Sequence, residues 1–144
     1  MNIGIFNNSF IEFTSTDVFA AGTSLQSSDH EYSYNDLVEI FGKPSYEGID
    51  DKITTEFTVK WEKYDAEYGD ETSGTFTIYD WHHARNLSDS NAKTKWNIGG
   101  YGYQDYVAFV EAMNISNERP PELMTGRRIE IDTSTSNTEY FAQA

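Results

Sequence analysis

The chain reads as an α+β domain: an antiparallel β-sheet with two short α-helices packed on one face. Three observations predict this. Residues 53–61 and 75–81 alternate with period two, as half-buried antiparallel strands do. Residues 34–41 and 104–113 carry apolar side chains at helical spacing. The two alternating segments stand between the two helices, an order that disfavours a βαβ crossover.

Ile3–Phe6 and Phe10–Thr14 are short apolar runs joined by Asn7-Asn8-Ser9, which suits a hairpin because Asn tolerates positive φ. Val18–Ala21 is apolar but short, and Gly22–Asp29 is small and polar and reads as a loop. The helix over 34–41 has the best local signals. Ser33 can cap it, with Asp36 three residues later as a capping-box variant. Tyr34, Leu37, Val38 and Phe41 form one face, Gly42 suits the C′ position and Pro44 blocks continuation.

In the first alternating segment Ile53, Thr55, Phe57, Val59 and Trp61 point one way, and Thr54, Glu56, Thr58 and Lys60 the other. Tyr64–Ser73 is acidic and reads as a loop ending at Gly74. In the second, Phe76 and Ile78 share one face, and Thr75, Thr77, Tyr79 and Trp81 the other. His82–Lys95 reads as a polar loop, then Trp96-Asn97-Ile98 as a third short strand stopped by Gly99-Gly100.

Tyr103, Tyr106, Val107, Val110 and Met113 make the stripe of the second helix, and Asp105 in its first turn suits the positive end of the helix dipole. Arg119-Pro120-Pro121 breaks the chain, and 127–132 alternates again with Ile129 and Ile131 inward. Residues 133–144, rich in Ser, Thr and Asn, read as a flexible tail unless Tyr140 and Phe141 dock. One domain over 1–132 follows, large enough to bury a core without staples.

Charge sets the class of partner. Twenty-four Asp and Glu stand against ten Lys and Arg, a net −14 on 144 residues. Such a surface repels DNA, RNA and anionic membranes and attracts basic surfaces. The 15% aromatic content opposes general disorder. The absence of cysteine removes disulfides and thiolate metal sites, and fits a reducing compartment. Met1–Phe13 has neither a basic n-region nor a long apolar run, and no stretch is long enough to span a membrane. The expectation is a soluble cytoplasmic protein.

The candidate binding residues lie in the acidic stretch 47–71. Carboxylates along a hairpin can imitate spaced phosphates, and aromatic anchors within a charged rim are a common interface composition. The residues expected to meet a partner are Glu47, Asp50, Asp51, Glu62, Asp65, Glu67, Asp70 and Glu71, with Tyr64 and Tyr68 as anchors. Asp80 and His82 would share a strand face, beside His83, at a spacing that suits a metal or an acid–base pair, and His30 could join them from elsewhere. Two ligands are not a site. Glu47 with Asp50-Asp51 lacks the ligand spacing of a calcium loop. Gly99-Gly100-Tyr101-Gly102-Tyr103 opens a helix but matches no phosphate-binding fingerprint. Arg127-Arg128 is too small for a nucleic-acid patch. No nucleophile or metalloprotease pattern is present, so no enzyme activity, metal or cofactor is expected.

Tyr34…Phe41-Gly42-Lys43-Pro44, Trp61, Thr77-Ile78-Tyr79-Asp80 and Trp96-Asn97-Ile98-Gly99-Gly100 together resemble a pattern in small bacteriophage-encoded proteins, over about residues 32 to 113. The matching residues look structural and carry no chemistry. Small acidic phage proteins in turn resemble inhibitors of host defence of the anti-CRISPR and anti-restriction kind, an analogy of size and charge. The resemblance implies a DNA mimic that occupies the basic groove of a host nucleic-acid-binding defence protein, itself binding neither nucleic acid nor membrane. Two other readings stand beside it: a structural module that self-associates as a homo-oligomer through its aromatic faces, and a small-ligand binder or hydrolase using Asp80, His82 and His83.

Overall fold

The computed structural model describes residues 9–18, 20–48, 55–80, 89–118, 125–132 and 139–142. In chain order its elements are β1 (Ser9–Thr16), β2 (Ser24–Ser33), α1 (Tyr34–Phe41), β3 (Tyr46–Glu47), β4 (Thr55–Asp65), β5 (Asp70–Tyr79), β6 (Lys93–Gly100), α2 (Tyr103–Glu118), β7 (Thr125–Asp132) and β8 (Glu139–Ala142). The strands form one antiparallel sheet in the order β2-β6-β5-β4-β1-β7-β8, and β3 pairs with β4 just beyond the end of β1. The expected architecture, an antiparallel sheet with two helices, is what forms.

Register explains how β1 and β2 can be consecutive yet far apart in the sheet. Ser15 pairs with Val59, Val59 with Phe76, Phe76 with Gly100 and Gly100 with Ser24. The end of β1 and the start of β2 therefore stand at the same height, and the chain crosses between them without also climbing the length of a strand.

Alternation supplies the core. Ile11, Phe13, Phe57, Val59, Trp61, Phe76, Ile78, Trp96 and Ile98 are buried from the strands. Leu37 and Phe41 come from α1, and Ala108, Phe109, Ala112, Met113 and Ile115 from α2. Phe76 is the meeting point: its ring is 5.9 Å from Phe41 and 5.7 Å from Phe109, both edge-on. Both helices thus bury an aromatic ring against the same strand residue. Each buried ring is worth roughly 1.5–3 kcal/mol of apolar transfer, plus about 0.5–1.5 kcal/mol per well-placed aromatic pair.

Helix α1 forms where its caps dictate. The Asp36 amide donates to Ser33 Oγ at 3.0 Å, and the Ser33 amide returns the bond to Asp36 Oδ2 at 3.3 Å. Gly42, at φ 79°, closes the other end with its N–H on the Val38 carbonyl at 2.7 Å.

Helix α2 departs from expectation in length and in part of its face: Met113 is buried and Tyr106 and Val110 pack against the core as expected, whereas Tyr103 and Val107 do not. It runs to Glu118 rather than 113. Tyr103 is 68% exposed and Val107 38%, whereas Ala108, Phe109 and Ala112 are buried. Apolar residues ring this helix, so spacing alone does not fix its rotation. The two alanines let it approach the sheet closely, and the bonds of Asp105 described below fix its rotation.

Three more expectations are corrected. The acidic run Tyr64–Ser73 is not a loop: the β4–β5 ladder continues to Asp65 opposite Asp70, leaving 66–69 as the turn with Gly69 at φ 68°. Backbone pairing there outlasts the buried alternation that reveals a strand. Gly22–Asp29 is not all loop, because β2 begins at Ser24. As an edge strand paired only with β6 among the described residues, and irregular in register, β2 needs no apolar face. Gly99 and Gly100 do not stop β6 but end inside it. Of the expected tail, Glu139–Ala142 forms a strand on β7. The expectations for residues 3–6, Ile53, Thr54, Trp81 and the Pro120-Pro121 break lie outside the described residues.

Candidate functional site

The helix-free face of the sheet is set by β1, β4 and β5. Because Val59 and Phe76 point to the core, their neighbours point away, and cross-strand pairing aligns them. Phe10 stands opposite Tyr64 and Tyr64 opposite Glu71; one pair further, Glu12 stands opposite Glu62 and Glu62 opposite Ser73. The Phe10 and Tyr64 rings stack at 5.5 Å with their planes 26° apart. A furrow of about 200 Å³ opens above them, bordered by Glu12, Glu62 and Glu71.

The turn beyond this furrow is held by its own acid. Asp65 Oδ1 accepts the Glu67 amide at 2.9 Å, the Asp65 carbonyl accepts the Gly69 amide at 2.8 Å, and Ser9 Oγ accepts the Ala66 amide at 2.9 Å. Tyr68 projects from it, 71% exposed. A hydrogen bond to Glu67, together with the charges of Glu67 and Asp65, pushes its phenol above the usual value.

The hairpin thus gathers seven of the expected partner-binding residues, Glu62, Tyr64, Asp65, Glu67, Tyr68, Asp70 and Glu71, at one end. Glu47 is not with them. It pairs with Thr55 at the opposite end of β4, roughly 30 Å away at strand rise, and accepts the Tyr34 hydroxyl at 2.8 Å. Asp50 and Asp51 lie outside the described residues. Sequence reasoning missed Phe10 and Glu12, which reach the furrow only through β1–β4 pairing.

Among the described residues one ion pair forms, Lys63 Nζ to Glu111 at 3.2 Å, and it faces α2. Glu62, Asp65, Glu67, Asp70 and Glu71 have no cationic partner among the described residues within 4.0 Å.

The other candidates fall differently. Asp80 is fully buried, and its Oδ1 accepts the Thr55 amide at 3.0 Å while its own amide donates to the Thr55 carbonyl. This carboxylate ties β5 to the start of β4. His82 and His83 lie outside the described residues. His30 is on β2, with β6 between it and β5. Its Nε2 is 2.8 Å from Ser27 Oγ, and its ring packs against Tyr106 and Phe109. Burial lowers its pKa, against the raising effect of Asp29.

The glycine-rich segment before α2 cradles an anion, and the anion is internal. Asp105 Oδ2 accepts the amides of Tyr101 at 2.7 Å and Gly102 at 3.3 Å. Its Oδ1 accepts the Trp61 indole at 2.8 Å and the Thr75 amide at 3.0 Å. A phosphate would find these donors already taken.

One buried acid stands apart. Glu56 is 7% exposed, its Oε2 has no hydrogen-bond partner among the described residues, and burial pushes its pKa up to about 7. Tyr46 and Tyr79 flank it across the sheet. Burial, then the charge of Glu56, raises the Tyr79 phenol.

No group of three or more His, Asp or Glu is placed to hold a metal among the described residues, and no described helix is long and apolar enough to cross a membrane. No family model, curated protein or solved structure matches the chain.

Proposed function

We propose that the chain is an acidic interaction protein of the phage inhibitor kind, occupying the basic nucleic-acid-binding surface of a host defence complex such as a CRISPR effector or restriction enzyme. The observation that carries this reading is the β4–β5 hairpin end, where Glu62, Asp65, Glu67, Asp70 and Glu71 present carboxylates without cationic partners among the described residues, around the exposed Tyr68. Carboxylates along a ladder present charge at strand spacing, and a groove built to grip phosphates meets them with Lys and Arg. Tyr68 supplies the aromatic anchor that such interfaces favour at their centre. With a net −14, the chain itself stays off nucleic acid and anionic membranes, and works in the cytoplasm where the effector is.

The test is displacement. Purified CRISPR and restriction effectors loaded with labelled DNA are titrated with the chain, and with a variant carrying Glu62→Lys, Glu67→Lys, Asp70→Lys and Glu71→Lys. The expected result is DNA release by the native chain, weakening as salt rises, and none by the variant. Equal release by both, or release from no effector, overturns the reading.

A further inference from the structure

At the end of β4 away from the acidic hairpin, the sheet encloses polar atoms that it does not satisfy. Glu56 is almost fully buried and Thr77 wholly so, and neither Glu56 Oε2 nor Thr77 Oγ1 has a hydrogen-bond partner among the described residues. The two are diagonal neighbours, since Thr77 pairs with Thr58 and Thr58 lies two residues from Glu56 on the same face of β4. Keeping such groups dry costs free energy that water would restore. Tyr46 of β3 and Tyr79 of β5 stand directly opposite Glu56 on its two sides. Along β4 the next charge on this face is Lys60, beyond the neutral Thr58 and roughly 13 Å away at strand rise. On β1, Thr16 and Thr14 pair with Thr58 and Lys60 and carry no charge. No cation among the described residues lies within 4.0 Å of the Glu56 carboxyl.

The two flanking strands hold Glu56 with unequal strength. β5 pairs with β4 all the way from Asp70 to Tyr79, and β6 backs it from the other side. β3 is two residues long and pairs only at Glu56 and Thr55. Around it, the Ser45 amide and hydroxyl both donate to the Glu56 carbonyl, at 2.8 and 3.0 Å, and Glu47 accepts the Tyr34 hydroxyl. We propose that β3 is a pH-operated latch with Glu56 as its trigger: the neutral acid leaves β3 down on the sheet, and the ionised acid lifts it to reach water. The rest of the sheet stays closed, because β3 is the weaker neighbour. Lifting it hydrates Glu56 and frees Glu47 from Tyr34, at the end of the sheet opposite the hairpin. The latch stands independently of the acidic-surface reading.

The test is hydrogen exchange of the full chain, read amide by amide between pH 5.5 and 7.5 and corrected for the intrinsic pH dependence of exchange. The Ser45 amide reports the latch. The Gly42 amide, bonded to Val38 at the end of α1, and the Val59 amide, between Ser15 and Phe76, report the helix and the sheet. A carboxyl that titrates near 4.5 in water and at about 7 when enclosed predicts that opening at Ser45 rises about twentyfold over this range, while Gly42 and Val59 hold steady. Glu56→Gln and Glu56→Met, neutral at every pH, should each flatten the Ser45 profile. A flat profile at Ser45 in the native chain overturns the latch. So does a rise shared equally by Val59, which would mean that the ionised acid opens the whole sheet, and so does a rise that survives in both variants.

Discussion

The Trp61 indole N–H donates to Asp105 Oδ1 at 2.8 Å, joining the middle of β4 to the first turn of α2. The same carboxylate takes three backbone amides, from Thr75, Tyr101 and Gly102. It therefore locks two strands, the turn before the helix and the rotation of the helix about its axis. Removing it leaves four donors in a site only 4% exposed. Asp105→Ala should lose on the order of 3–5 kcal/mol. Asp105→Asn should lose somewhat less, since its carbonyl can keep Trp61 and Thr75 while its amide confronts the Tyr101 and Gly102 donors. Urea midpoints with unchanged m-values would measure both. A loss under 1 kcal/mol for the alanine variant would mean that the helix is held by Phe109 and its neighbours alone.

Room for that carboxylate comes from glycine. A Cβ on Gly74 would lie 2.1 Å from Asp105 Oδ1, and one on Gly100 would lie 2.6 Å from Asp105 Cβ. Gly102 has nothing within 4 Å of the equivalent point and no positive φ. Gly74→Ala and Gly100→Ala should each cost about 1–3 kcal/mol by overpacking, and Gly102→Ala about 1 kcal/mol or less. Thermal melts of the three variants separate the two classes.

These contacts show what the sequence could and could not reveal. Helix α1 was legible because Ser33, Asp36 and Gly42 act within one short segment. The central strands were legible because Phe57, Val59, Phe76 and Ile78 alternate against a core. The face of α2 was legible in part: Tyr106, Val110 and Met113 pack on the core, but Tyr103 and Val107 fall at the same helical spacing and are exposed, and the rotation that excludes them is set by Trp61, Thr75 and two glycines elsewhere in the chain. Edge strand β2 was hidden because pairing on one side demands no alternation. At the candidate site, Glu62, Tyr64 and Glu71 were visible as an acidic run with an aromatic. Phe10 and Glu12 were not, because only the β1–β4 register brings them alongside.

Glu56 gives the fold a pH dependence of unusual sign. Its folded pKa of about 7 stands above the ordinary carboxyl value of 4.5, so the folded state holds the proton more tightly than the unfolded chain. Its contribution is full below about pH 4.5 and is lost as pH rises through 7. The loss by mildly alkaline pH is on the order of 2–3 kcal/mol. Glu56→Gln keeps a neutral side chain of the same shape. It should be the more stable protein above neutrality and should flatten the slope between pH 4.5 and 7. Parallel pH titrations of the urea midpoint decide this; identical slopes in the two proteins would show that Glu56 does not titrate in that window.

Salt should stabilise this protein rather than weaken it. Like charges face each other at Glu12–Glu62 and Asp65–Asp70, while one described ion pair, Lys63–Glu111, would be lost to screening. With its lysine 37% exposed, a single pair of that kind is worth on the order of 1 kcal/mol, so relief of the repulsion of a net −14 outweighs it. Raising ionic strength shortens the Debye length to about 8 Å under physiological conditions, which mutes repulsion between exposed carboxylates. The melting temperature should therefore climb between low and physiological salt. Glu62→Gln should reproduce part of that climb at low salt, by about 0.2–1 kcal/mol, and gain less once salt is present. A melting temperature that falls on adding salt would show that attractive pairs, not the crowded hairpin acids, dominate the surface.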